Sequence, residues 1–200
     1  MSTVVKIGPE DHGRPMSFEE YLAGDYQQGY HYELIDGRLY VSPEASFPEN
    51  WVDRWLFRKV DDFSRENPKI INFVTYRARV FVPRRPGITA PEPDLAAYHD
   101  FPLHLPIRKV RWQDVSPVLV GEIMAHGDPT KDLIRNVELY LLVPSIKEYW
   151  LLDTRDDPEQ PTLRVYQRQG KKWRIQEFAF GKTYTTSLLP GFQLLIDPRK

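Results

Sequence analysis

Cysteine is absent from the 200 residues, which excludes disulfides and thiolate metal sites. Long apolar runs are missing too, and none approaches the ~18 residues that a membrane-spanning helix takes. The opening stretch MSTVVKIGPEDHGRP lacks the apolar centre of a secretory signal. Together these absences set the expectation of a soluble, cytoplasmic protein with no membrane partner. Charge of one sign does not prevail either: 27 Lys and Arg stand against 28 Asp and Glu, a formal net charge of −1. A chain so balanced has no global electrostatic footprint for nucleic acid, so any such binding must come from a local patch. What is present is globular material, 41% hydrophobic and 13% aromatic, which excludes a disordered chain and suffices for a core.

The length suits one domain, residues 17–200, behind a loose lead-in over 1–16. Ser17 and Glu20 in SFEE form a capping box opening a short helix, and Ser46 and Glu49 in SFPE repeat the pattern. The second helix is the longer, with Trp51, Val52, Trp55, Leu56, Val60 and Phe63 at helical spacing up to a stop at Asn67–Pro68. Between the two helices, HYELIDGRLYV reads as a hairpin turning at Asp36–Gly37. NFVTYRARVFV alternates, with Val74, Tyr76, Ala78, Val80 and Val82 on one face and Arg77 and Arg79 on the other. DLAAY is a short strand beginning at Asp94, and a long charged connection over 99–116 follows it. VLVGEIM, a helix over about 129–142 capped by Asp128, and KEYWLLD make a strand–helix–strand unit, a predicted parallel crossover. LRVYQRQGKKWRIQEF is a hairpin turning at Gln169–Gly170, and LLPGFQLLI closes the domain.

One ionisable residue stands out. Glu122 lies inside an apolar run, and an unpaired carboxylate there is costly unless it is protonated, paired or bound to metal. Strand alternation puts Val118, Val120, Glu122 and Met124 on one face and Leu119, Gly121 and Ile123 on the other. Asp94 follows Pro93 at the start of another strand. If the strands are neighbours, the two carboxylates converge on one hard divalent cation, magnesium or manganese, which takes few protein ligands. By spacing alone, the favoured reading makes Asp94 a turn cap and Glu122 the partner of an arginine such as Arg79.

The segments YELIDGRLYVSP, PEPDLAAY, VLVGEIMA, SIKEYWLLD, LRVY and LLPGFQLLI occur in that order. Together they resemble the Uma-two restriction-endonuclease family, of the superfamily carrying the PD-(D/E)xK motif. The resemblance implies a restriction-endonuclease-like fold of mixed α+β class, a central mixed sheet flanked by helices with additional hairpins. It further implies a magnesium-dependent site that cleaves phosphodiesters, DNA as substrate, and a homodimer for cutting both strands. Asp94 would be the motif aspartate, Glu122 the motif acid, and Glu33 the upstream acid. The lysine of the motif, moved in this family onto the following helix, falls on Asn136, and a family serine on Ala125.

Asparagine can orient a water but supplies no charge. In a regular helix Leu133, Ile134, Val137, Tyr140 and Leu141 span an apolar arc, with Asn136 beside it and Asp132 one turn before. Lys131, Arg135 and Glu138 then face solvent, so none is a natural stand-in for the lysine. Arg77 or Arg79 approaches from the adjoining strand if its face allows, and His126 just past the motif strand is a candidate general base. Trp51, Trp55 and Trp150 read as core, and QRQGKKWR (167–174) as a solvated basic turn able to contact phosphates. Three functions stay open: a metal-dependent endonuclease acting through Asp94, Glu122, Glu33 and Asn136; a catalytically degenerate binding module on the same fold; and a metal hydrolase of a small phosphorylated molecule.

Overall fold

The computed structural model describes residues 6–125 and 129–200. Strand β1 (Lys6–Ile7) pairs in parallel with β2 (Asp25–Tyr26), and α1 (Phe18–Ala23) lies between them in sequence. The capping box forms: Glu20 N–H donates to Ser17 Oγ at 3.1 Å and Ser17 N–H to Glu20 Oε2 at 2.8 Å. β3 (Tyr30–Ile35) and β4 (Arg38–Pro43) make the expected hairpin. Asp36 and Gly37 take φ of 52° and 69°, the left-handed pair that a two-residue hairpin turn demands. Residues 6–16 are fastened to it, with the N–H groups of Gly13 and Met16 donating to the Leu39 and Gly37 carbonyls.

α2 (Phe47–Glu66) starts where Ser46 N–H meets Glu49 Oε2 at 2.6 Å and stops at Asn67. Val52, Trp55, Leu56, Val60 and Phe63 are buried along it, whereas Trp51 is 49% exposed, its indole N–H donating to the Pro198 carbonyl. β5 (Phe73–Thr75), β6 (Leu95–Tyr98) and β7 (Leu119–Met124) follow. The alternation over residues 74–82 predicts the burial of Val74, Ala78, Val80 and Val82, but Tyr76 is 39% exposed and the ladder is shorter than expected. Arg77 adopts φ 49° and breaks the strand, and Ala78, Val80 and Val82 are then buried in irregular chain. The connection over 99–116 holds two short 3-10 turns, Ile107–Lys109 and Trp112–Asp114.

α3 runs as a π turn over Lys131–Arg135 and continues as α-helix over Asn136–Leu141. β8 (Glu148–Asp153), β9 (Thr162–Gln169), β10 (Lys172–Phe178), β11 (Thr183–Thr185) and β12 (Gln193–Leu195) complete the chain. The central sheet has six strands in the order β10–β9–β8–β7–β6–β5, with β7 and β8 parallel and every other pair antiparallel. α3 connects the parallel pair, as the strand–helix–strand reading expects. This is the mixed α+β architecture, a central mixed sheet with helices and separate hairpins.

Alternation along β7 divides the core. Leu119 packs with α2, Leu95, Trp150 and the β11–β12 hairpin on one face. Val120 and Met124 pack with Leu139, Tyr140, Tyr149 and Tyr166 on the other. Gly121 has no room for more: a Cβ there would meet Leu56 at 3.3 Å. Behind the second face, Arg168 of β9 reaches the end of α3. Its guanidinium donates to the carbonyls of Tyr140, Leu141, Val143 and Ile146 and lies over the Trp173 ring. That arginine of the basic hairpin is therefore structural, because the last carbonyls of a helix want donors. Among the described residues no helix is long and apolar enough to cross a membrane.

Candidate active site

Register explains how two distant acids meet. Leu95 pairs with Gly121 in the antiparallel β6–β7 ladder, so one step outward sets Asp94 across from Glu122, on the same face of the sheet. Asp94 Oδ2 accepts the Ile123 N–H at 2.8 Å, tying the end of one strand to the other. Glu122 is 1% exposed, and its Oε1 accepts from Asn136 Nδ2 and Tyr140 OH, each at 2.8 Å. Burial pushes the Glu122 carboxyl well above the usual range, and Asp132, Asp94 and Glu33 push it further against the opposing charge of Lys131. The shift favours the neutral form, the form that an apolar run tolerates more readily. Among the described residues neither Arg79 nor any other arginine pairs with it; Arg79 Nε instead donates to Glu92 at 2.8 Å.

Glu33 enters from the β3–β4 hairpin and is 4% exposed. It accepts from the Glu92 N–H at 3.0 Å and from Arg135 Nη2 at 2.7 Å, and Lys131 Nζ stands 3.9 Å from its Oε2. Burial works against its charge, but Lys131 and Arg135 prevail and bring the carboxyl down to about 2. The expectation that Lys131 and Arg135 face solvent is thus overturned. The reason is the π turn, which adds a residue to one turn and re-phases the helix. Ile134, assigned to the apolar arc, is 53% exposed for the same reason.

Asn136 sits behind Glu122, fully buried, and bridges Glu122 Oε1 and Asp132 Oδ1 through one amide nitrogen, at 2.8 and 3.1 Å. Its own oxygen accepts from Arg135 Nε at 3.0 Å, which fixes the amide's orientation. It holds Glu122 and does not line the cavity in front. That cavity, of about 1170 Å3, is walled by Glu33, Asp94, Glu122, Lys131, Asp132 and Arg135 among others. Arg77, exposed, lies at its wall as well.

Sequence reasoning missed one acid. Asp53 of α2 also lines the cavity, with a buried Oδ1 that has no hydrogen-bond partner among the described residues. Burial and the nearby Asp94 raise its carboxyl to about 8, Arg77 opposing. In the sequence it is merely an acid next to Val52 on an amphipathic helix, a pattern that most surface helices share. Asp132 is raised as well, by burial first. His126 and the predicted cap Asp128 lie outside the described residues.

The residues bear on whether a divalent cation fits. Asp94 and Glu122 each use one oxygen for protein donors, and the second oxygen of each makes no hydrogen bond among the described residues. No group of three or more acidic, histidine or cysteine side chains forms a ready-made cage among the described residues. Two cross-strand carboxylates therefore suit a hard ion that keeps most of its waters, and not a metal enclosed by protein.

Comparison with known proteins bears on this architecture directly. A crystal structure of a protein from Anabaena variabilis, described as "a putative nuclease belonging to DUF820", superposes with a TM-score of 0.65 over 91% of this chain and 96% of its own. The two are 16% identical, so the likeness speaks to the fold. No curated protein matches the chain. The model of the Uma2 family, described as "Putative restriction endonuclease", matches residues 18–197, nearly the whole chain, and the protein belongs to that family.

Proposed function

We infer that the protein is a divalent-metal-dependent endonuclease that hydrolyses phosphodiester bonds of DNA. The observation that supports this most is the cross-strand pair Asp94 and Glu122, presented with one uncommitted oxygen each at the wall of a single large cavity. Asp94 and Glu122 would hold magnesium or manganese. Such an ion, when bound, activates water and neutralises charge developing on the phosphate. The chain's own residues prepare that place. Asn136 and Tyr140 hold Glu122 from behind, and the Ile123 amide holds Asp94. Glu33 gathers Lys131 and Arg135 at the other wall. At about 1170 Å3 the cavity exceeds the roughly 300–1,000 Å3 of ordinary small-molecule pockets, which favours a polymer over a small phosphorylated substrate. Activity on both strands would call for a homodimer.

One observation favours a second reading, a binding module without the chemistry: the motif lysine is Asn136, which carries no charge. Calorimetry decides between them. Manganese should bind the wild type and not Glu122→Gln, and the wild type should nick a supercoiled plasmid in manganese but not in EDTA. Binding without nicking over a wide range of duplex and single-stranded substrates would select the module.

A further inference from the structure

We propose that Lys131 supplies the positive charge that the motif position has lost, a reading that deepens the nuclease proposal above and rests on it. The geometry begins with the helix. Five α-helical steps of about 100° leave residues 131 and 136 about 140° apart, nearly on opposite sides. Here the Asn136 N–H bonds to the Lys131 carbonyl, and closing a bond between residues five apart stacks them one above the other. The π turn thus carries residue 131 round to the face from which Asn136 meets Glu122.

Arg54, Arg77, Lys131 and Arg135 all line the cavity, Arg54 as an exposed side chain, and they differ in what already holds them. Arg135 is engaged: it donates to Glu33 and to Asn136 Oδ1, and its guanidinium lies 5.0 Å from the Tyr40 ring centroid. Arg77 is exposed at the wall, on the strained residue that ends β5. Lys131 is 29% exposed at its side chain, and its Nζ stands 3.9 Å from Glu33 Oε2, beyond hydrogen-bond length. Its three donors make no hydrogen bond among the described residues, yet the ammonium faces a wall of acids. Of all charged groups it acts most strongly on Glu33, Glu122 and Asp132. A mobile point charge with free donors is what recognises a phosphate oxygen.

In hydrolysis the water oxygen bonds to phosphorus while the bond from phosphorus to the leaving oxygen breaks. The water gives one proton to solvent and the leaving oxygen takes one from it. Lys131 contributes no atom; it donates to a non-bridging oxygen and offsets the charge that grows there. Asn136 remains the residue that positions Glu122.

The test compares Lys131→Met, Lys131→Arg and Lys131→Met/Asn136→Lys with the wild type, each matched for thermal unfolding. Lys131→Arg keeps Glu33 paired should the methionine variant fold poorly. In manganese, Lys131→Met should cut a plasmid about 100-fold more slowly, in the range of a lost transition-state donor. Lys131→Arg should lose far less, and the double variant should recover part of the rate. Manganese affinity of Lys131→Met should be unchanged or tighter, since a cation has left the acids. A second readout needs no metal: in EDTA, Lys131→Met should bind a fluorescein-labelled duplex more weakly, with a salt slope shallower by about 1. A wild-type rate together with an unchanged slope in Lys131→Met overturns the proposal. A wild type that never cleaves sinks the nuclease reading instead, and the slope alone then decides whether Lys131 meets phosphate.

Discussion

Two buried glutamates stand on neighbouring strands of the same sheet, and they could hardly be treated more differently. Glu148, at the start of β8, is 3% exposed and accepts from four donors. Gln167 and Thr186 serve one oxygen, and the Trp150 indole and the Tyr184 hydroxyl serve the other. Glu122, on β7, is 1% exposed but has donors on a single oxygen, from Asn136 and Tyr140. The first carboxylate is closed on all sides and knits β8, β9 and the β11–β12 hairpin together. The second keeps an oxygen in reserve beside other acids. Burial does not separate the two carboxyls; the unfilled share of Glu122's hydrogen-bonding capacity does.

The same substitution at both positions sharpens that contrast. Glu148→Gln sets a new NH2 group against two donors in a sealed site, and at roughly 1–3 kcal/mol for each unpaired group should cost about 3 kcal/mol in urea unfolding. A loss under about 1 kcal/mol would show that the network relaxes. Next comes Glu33→Gln, which strips Lys131 and Arg135 of their counter-charge and should cost about 2–3 kcal/mol near neutral pH. Because the folded Glu33 carboxyl is lowered from 4.5 to about 2, its stabilisation is complete above about pH 4.5 and disappears as pH falls toward 2. The wild-type advantage over Glu33→Gln should shrink across that window.

An effect of opposite sign belongs to Asp53. Its carboxyl rises from 3.8 to about 8 on folding, so the folded state holds a proton that the unfolded chain releases, and stability falls as pH climbs between those values. In EDTA, Asp53→Asn should gain stability relative to wild type as pH rises from 4 to 9. A constant difference across that range would mean that Asp53 does not titrate as described. Smallest of all is Glu122→Gln, whose Oε1 still accepts from Asn136 and Tyr140. It should unfold within about 1 kcal/mol of wild type in EDTA, even though manganese binding is lost. A destabilisation matching that of Glu148→Gln would erase the distinction between the two carboxyls.

Much of this was legible in the sequence because local rules were obeyed. Capping boxes at Ser17 and Ser46, the left-handed pair at Asp36–Gly37, and two-residue alternation through Glu122 all report on the chain within a few residues. The convergence of Glu33, Asp94 and Glu122 at one cavity came from motif order and not from spacing. What was hidden depends on departures with no local signal. Nothing in TKDLIRN announces a π turn, and a helix wheel drawn without it sends Lys131 and Arg135 outward. Arg77 likewise reads as one more residue of an alternating strand until its positive φ ends the ladder. Asp53 matters through its distance from Asp94 in space, which no pattern within α2 encodes.

Arg168 gives the sheet a say in all of this. By holding four carbonyls at and beyond the end of α3, it makes the C-terminal end of that helix the fixed origin from which residue positions are counted. Any change in length within Lys131–Arg135 must then be absorbed upstream, toward the loop after β7. Deleting one residue there would close a regular α turn and leave Lys131 four residues before Asn136, about 40° from it and still on the cavity side. Rewinding the π turn as α-helix at its present length would instead carry Lys131 about 140° from Asn136, out of the cavity. The winding of this short segment, and not its acids, therefore sets which charge the cavity sees.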